Sequence, residues 1–159
     1  MIARLIATVG LVGLMRPAPG TWGSIAALPL AWIAMQGGPV LFTVLTAALL
    51  PLGWWATAEV TRGKEDHDPS EVVIDEVLGQ WIALLPIAWG AAQAGVPVER
   101  LWPGWLAALV LFRLFDIQKP GPVGWMDRRR DVAGVMLDDA VAGALAALGV
   151  MALAALAHL

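Results

Sequence analysis

Charges in this chain fall in clusters, and the stretches between them are apolar over lengths that matter. Residues 39–58 run uncharged from a Gly37-Gly38-Pro39 breaker to Glu59. Residues 77–95 are uncharged after Asp75-Glu76, and residues 140–159 follow Asp138-Asp139 as an Ala/Leu/Gly-rich run. A helix of about 20 apolar residues crosses the hydrocarbon of a bilayer, so each of the three predicts a transmembrane span. Residues 101–115 are shorter and close on Arg113 and Asp116; they reach across if Arg113 snorkels to the interface. Residues 21–36 are short and contain Pro29, yet a bundle needs them to carry the chain across. Residues 1–15 are too few for a span and lack the pattern of a cleaved signal peptide. They read as an interfacial or re-entrant helix. The expected fold class is an all-α integral membrane protein: one domain over residues 1–159, about five transmembrane helices, and cytoplasmic loops at 59–76 and 116–139.

Composition strengthens this picture. The chain is 59% hydrophobic and 14% charged, where a soluble domain is about half apolar and a quarter charged. Nine Trp and no Tyr suit the headgroup region, which Trp favours. The absence of Cys excludes disulfides, zinc–thiolate sites and cysteine nucleophiles. The net charge of -3 says less than the placement of the charges. With five crossings, one side holds Arg4, Arg16, Arg62, Lys64, Arg113, Lys119, Arg128, Arg129 and Arg130, and the other only Arg100. The positive-inside rule makes the charged side cytoplasmic, in a multi-pass membrane protein with its C-terminus outside. Every acid but Glu99 lies on that side too. No topology rule demands that; something else collects them.

Three constellations on that side carry chemistry. RPAPGTWGS, Arg16 to Ser24, is a Pro/Gly-rich turn feeding a helix. Its backbone N–H groups suit an anion such as phosphate, and Thr21 or Ser24 can equally serve as an ordinary N-cap. EDHDPSEVVIDE, Glu65 to Glu76, ends on two acids at a helix mouth. One carboxylate there satisfies the helix dipole, whereas a second on the adjacent position needs another reason. His67 reads as a solvated loop residue. In the segment from Leu111 to Asp139, Arg113 and Asp116 share a helix face. Lys119-Pro120 stops that helix, Arg128-Arg129-Arg130 reads as a juxtamembrane basic patch, and Asp138-Asp139 stands at the mouth of the last span. Ionised groups at the edge of hydrocarbon are costly and mark function. Carboxylates brought together repel unless a cation neutralises them. An all-oxygen donor set points to a hard ion, Mg2+ before Ca2+ or Zn2+, and such an ion beside Arg and Lys suits phosphoryl chemistry.

Taken together, APGTWGSIAALPL (Ala18 to Leu30), DPSEVVIDEVLGQWIAL (Asp68 to Leu84), FRLFDIQKPGPVGWMD (Phe112 to Asp127) and GVMLDDAVAG (Gly134 to Gly143) resemble the phosphatidylglycerophosphatase A family in order and spacing, over about half of the chain. A lone PGTxGS is a weak signal; all of these in series are specific. The resemblance implies a Mg2+-dependent membrane enzyme that removes the terminal phosphate of phosphatidylglycerol phosphate. It implies Asp75, Glu76, Asp138 and Asp139 as metal ligands or their immediate support, with Asp116 and Asp68 close by. Glu76 or Asp138 would orient the attacking water, with Asp75 also in the catalytic set, and a carboxylate nucleophile remains an alternative. Arg113 and Lys119 would hold the phosphate, helped by the backbone at Gly20, Thr21, Gly23 and Ser24. Gly121 departs from the Trp usual in the family's KPWP turn, and Asp131-Val132-Ala133 departs where Gly is common.

The expected partners are the lipid substrate and the bilayer, with no nucleic acid. The small-residue run at Ala142-Gly143-Ala144 to Ala147 permits close helix packing within one chain or between two. A small ion-coupled transporter is the rival outside enzymology, although the acids sit at one interface and no inverted repeat is visible. A purely structural subunit explains the helices but not the acids, and another lipid such as phosphatidate is the rival substrate.

Overall fold

A computed structural model describes residues 1–64, 69–129 and 131–157. Among these residues the elements are helical: α1 (Ile2–Ala7), a 3-10 turn (Val12–Leu14), α2 (Pro19–Met35), α3 (Pro39–Thr61), α4 (Ile74–Ala94), a second 3-10 turn (Val98–Leu101), α5 (Trp102–Gln118), α6 (Pro122–Asp127) and α7 (Val132–Ala157). Four segments are long and apolar enough to cross a membrane: Pro39–Thr61, Ile74–Ala94, Val98–Gln118 and Val132–Ala157. Helix α2, with 17 residues, is about 25 Å long at the usual rise per residue. Ile33, Val44, Leu106, Val110 and Leu148 stand outward and exposed, an apolar exterior that lipid covers and water would penalise. The chain is an all-α membrane protein.

Helix α4 sits at the centre, with α2, α3, α5 and α7 packed around it. That position explains its sequence. Residues Ile74 to Trp81 are buried without a break, as are Ala83, Leu84, Ile87, Ala88 and Ala91, so no polar stripe is needed. The Trp81 indole N–H donates to the Ala27 carbonyl on α2 at 2.9 Å, and its ring tilts against Phe42 of α3 at 5.1 Å between centroids.

Helix α7 approaches α4 more closely than side chains would allow. A Cβ on Gly143 would lie 2.2 Å from the Gly79 carbonyl oxygen, and one on Gly79 would meet the Asp139 carbonyl oxygen at 2.6 Å. The small-residue run is thus spent within the chain, with Ala142, Gly143 and Ala146 buried. Gly143→Ala is expected to destabilise by about 1–3 kcal/mol through overpacking against backbone. Gly90→Ala on α4 has only a methyl 3.9 Å away and is expected to be neutral or stabilising by helix propensity. Thermal unfolding of the two variants in detergent checks the contrast.

Several local expectations need correction. Helix α7 begins at Val132, eight positions before residue 140, because Asp131 accepts the Gly134 N–H at 2.9 Å and caps an apolar, helix-compatible segment. Asp138 and Asp139 therefore lie inside the helix, buried, and not at its mouth. Residues 116–139 are correspondingly not a loop throughout: they hold the end of α5, α6 and the start of α7. Neither Thr21 nor Ser24 caps α2. That helix starts at Pro19, whose fixed φ suits the first helical position, with Ala18 as N-cap and no side-chain cap bond. Pro29 does not interrupt α2.

The helix of the N-terminal segment is too short to cross a bilayer. Helix α1 is six residues long, and the Ala7 carbonyl accepts the Val73 N–H at 2.8 Å, which ties α1 to the entry of α4. A Cβ on Gly13 would stand 2.0 Å from the Glu71 carbonyl oxygen, so the 3-10 turn Val12–Leu14 lies flush on the same segment. Helices α2 to α5 and α7 then alternate in direction, and the starts of α2, α4 and α7 meet the ends of α3 and α5 at one end of the bundle.

Candidate active site

Glu76 is the hub of that end. It sits in the first turn of α4 and is buried. The Arg113 guanidinium, from the last turns of α5, donates through Nη1 to both Glu76 carboxylate oxygens at 2.7 Å. The Ser24 hydroxyl of α2 donates to Glu76 Oε2 at 2.8 Å and also lies 3.0 Å from the Gly20 carbonyl oxygen. Arg113 Nη1 reaches Asp116 Oδ2 at 2.8 Å, one turn along its own helix. Three helices thus converge on one carboxylate. The glycines of α2 allow it: a Cβ on Gly20 would meet Glu76 Oε1 at 2.1 Å, and one on Gly23 the Val73 Cβ at 2.8 Å.

A second centre forms around Lys119. Helix α5 ends at Gln118, and Lys119 takes a left-handed conformation with φ 47°. That turn brings its ammonium to Asp138 Oδ2 of α7 at 2.8 Å and to Asp127 at the end of α6. Burial works to lower the Lys119 pKa, but the hydrogen bonds and charges of Asp127 and Asp138 outweigh it and hold the ammonium well above the ordinary lysine range. Lys119 is a fixed cation.

Asp75 and Asp139 complete the set. Asp75 Oδ1 accepts the Glu76 N–H at 2.9 Å, and Asp138 Oδ1 accepts the Asp139 N–H at the same distance. Asp139 is 4% exposed and lies within electrostatic range of Glu76, Asp75, Asp116 and Asp138. With Asp127 on Lys119, six carboxylates therefore face two cations, Arg113 and Lys119, and such an excess of like charge calls for a further cation or for protons. The donors are all oxygen, which suits Mg2+. In this arrangement no group of three or more acids among the described residues stands at ligand spacing; Glu76 is paired with Arg113 and Asp138 with Lys119.

The sequence-derived candidates divide accordingly. Glu76, Asp116, Arg113 and Ser24 share one hydrogen-bonded cluster, and Asp138 and Lys119 share another. Thr21 Oγ1 lies 3.5 Å from Arg113 Nη2. The α2 hydrogen-bond ladder opens with Trp22 donating to the Ala18 carbonyl, so helix geometry leaves the Gly20 and Thr21 N–H groups ahead of it. Gly23 and Ser24 N–H fall inside the ladder; Gly23 serves close packing and Ser24 acts by its hydroxyl. Asp68, His67 and Arg130 lie outside the described residues. Asp127 was missed: it stands eight residues from Lys119 across a turn, and α6 is too short to show a periodic signal. Cavities of about 570 Å3 along α3 (Trp54, Trp55, Arg62) and about 220 Å3 at the opposite end of the bundle (Met35, Ala91, Glu99) are lined by none of these residues.

No solved structure is significantly similar to the chain. Curated proteins are. The chain is 36% identical to a phosphatidylglycerophosphatase A of Haemophilus influenzae, covering 89% of this chain and 82% of that protein. It is 33% identical to a phosphatidylglycerophosphatase A of Escherichia coli, over 85% and 73%. It is 41% identical to a putative phosphatidylinositol-3-phosphatase of Bacteroides thetaiotaomicron, over 79% and 77%. The family model described as phosphatidylglycerophosphatase A matches residues 5–154, a span that takes in every helix end converging on Glu76 and Lys119. The chain therefore belongs to the phosphatidylglycerophosphatase A family.

Proposed function

We propose that this chain is a Mg2+-dependent lipid phosphatase that hydrolyses phosphatidylglycerol phosphate to phosphatidylglycerol and inorganic phosphate at the cytoplasmic face of the membrane. The observation that carries this reading is the gathering of Asp75, Glu76, Asp116, Asp138 and Asp139 around Arg113 and Lys119 at one end of the bundle. That end also carries the Arg and Lys excess, which supports a cytoplasmic orientation. A phosphomonoester on a lipid headgroup reaches it while its acyl chains stay in the bilayer.

The chemistry divides among these residues. Arg113 and Lys119 bind the phosphate and offset charge developing on its oxygens. Glu76, held by Ser24 and Arg113, or Asp138, held by Lys119, takes a proton from the attacking water. The bond from phosphorus to the glycerol oxygen breaks, and the leaving alkoxide is protonated from solvent. Asp75, Asp138, Asp139 and Asp116 would hold Mg2+, which would supply charge neutralisation and Lewis acidity toward the phosphoryl oxygens.

Purified protein in detergent, given phosphatidylglycerol phosphate and Mg2+, is expected to release phosphate and to stop on EDTA addition. Phosphatidylinositol 3-phosphate and phosphatidate run alongside, because one relative carries a phosphatidylinositol-3-phosphatase name. Preference for either moves the substrate assignment within lipid phosphomonoesters. No release from any of the three sinks the enzyme reading.

A further inference from the structure

Among the described residues, Gln80 is the buried side chain whose polar atoms are left without a partner. It is 0% exposed, and among the described residues neither its amide nitrogen nor its amide oxygen has a hydrogen-bond partner. An unpaired buried amide costs about 1–3 kcal/mol, and a membrane interior offers no bulk water in relief. The neighbours of Gln80 on α4, Gly79 and Trp81, serve packing. A leucine or methionine would fill its place without penalty. The polar group therefore needs a reason.

Position supplies one. Gln80 follows Glu76 by four residues on α4, so the two side chains leave the same face of the helix, about 5–6 Å apart at Cβ. Helix α2 runs alongside in the same direction. Gly23 and Ser24 meet the level of Val73 and Glu76, and Ala27 meets Trp81. Gln80 thus stands one turn deeper than the Glu76–Ser24–Arg113 cluster, under its floor. A carboxamide there can both donate and accept, which is what an interior water needs from a protein host.

We propose that Gln80 is a positioning residue of this site: its carboxamide binds an interior water one turn beneath Glu76, and that water fixes the Glu76 carboxylate against Ser24 and Arg113. The inference rests on the phosphatase reading above and extends it to a residue outside the acids and cations. Gln80 touches neither substrate nor metal. It acts by limiting where Glu76 points, and an error of that kind is expressed in turnover more than in binding.

Gln80→Met keeps length and flexibility while removing both polar atoms. It is expected to leave the unfolding temperature in detergent close to wild type, because the amide and the water that pairs with it are lost together, and to lower kcat about tenfold or more with KM little changed. Gln80→Leu serves as the second apolar variant should methionine pack poorly. Because the effect passes through Glu76, Gln80→Met combined with Ser24→Ala is expected to lose less than the product of the two single losses. If Gln80→Met and Gln80→Leu fold with wild-type kcat, or if their losses multiply independently with that of Ser24→Ala, the positioning role is overturned. Wild-type protein inactive on every lipid phosphomonoester would instead count against the phosphatase reading itself, so the two failures are distinguishable.

Discussion

Arg113→Ala is expected to cost about a hundred- to a thousandfold in kcat/KM for phosphate release, the scale on which a preorganised charge at a reacting oxygen acts. It is expected to destabilise the fold as well. Arg113 Nη1 binds both Glu76 oxygens at 2.7 Å and Asp116 at 2.8 Å, with side-chain exposures of 18% for Arg113 and 11% for Glu76. Removing the cation leaves a buried carboxylate uncompensated, which costs about 3–5 kcal/mol in comparable pairs. Arg113→Lys keeps the charge but not the planar fork, so stability should recover more than activity. A companion Glu76→Gln on the Arg113→Ala background removes the orphaned charge and should restore stability without restoring turnover. Unfolding midpoints and phosphate release on the four proteins separate the two roles. Arg113→Ala with wild-type turnover would remove the guanidinium from the chemistry.

Much of this was legible in the sequence because membrane helices announce themselves by uncharged length. The spans at 39–58 and 77–95 correspond to α3 and α4 within a few residues. The residue types also pointed to one end of the bundle: acids with no topological reason to gather there, beside Arg113 and Lys119. Helix starts were harder to read. A charged pair looks like a boundary, and Asp138-Asp139 reads as one, whereas α7 begins at Val132 because the capping residue is Asp131. In that case the uncharged run defines what faces lipid, not where the helix begins. Pairing was illegible altogether. Nothing in the sequence says that Glu76 takes Arg113 while Asp138 takes Lys119, since those partners are set by the crossing of α4, α5 and α7. Gln80 was invisible for the opposite reason: it sits inside an apolar run and looks like a tolerated polar residue until its burial is known.

Asp138→Asn carries the second large effect, and it tests whether the acids act by charge or by shape. Asn keeps the size of the side chain and an oxygen to accept the Asp139 N–H, as Asp138 Oδ1 does at 2.9 Å. Lys119 keeps Asp127. The fold should therefore survive, with an unfolding midpoint close to wild type or above it, since one of five crowded carboxylates is gone. Turnover should not survive. A neutral amide neither takes a proton from water nor binds a hard cation as a carboxylate does, so kcat is expected to fall by about a hundredfold or more, within the range of general acid–base contributions. Asp75→Asn should behave alike, because Asp75 makes the equivalent bond to the Glu76 N–H. If Mg2+ is held by these acids, both variants should also need more Mg2+ to reach half of their residual rate. Asp127→Asn is the contrast, since Asp127 touches only Lys119 among the groups of the site: it should weaken substrate binding while leaving the Mg2+ requirement unchanged. Phosphate release titrated with Mg2+ reads all three. Asp75→Asn and Asp138→Asn proteins that insert normally and keep wild-type Mg2+-dependent turnover would leave the carboxylate cluster as a structural device, and the phosphatase site would have to be sought elsewhere in the chain.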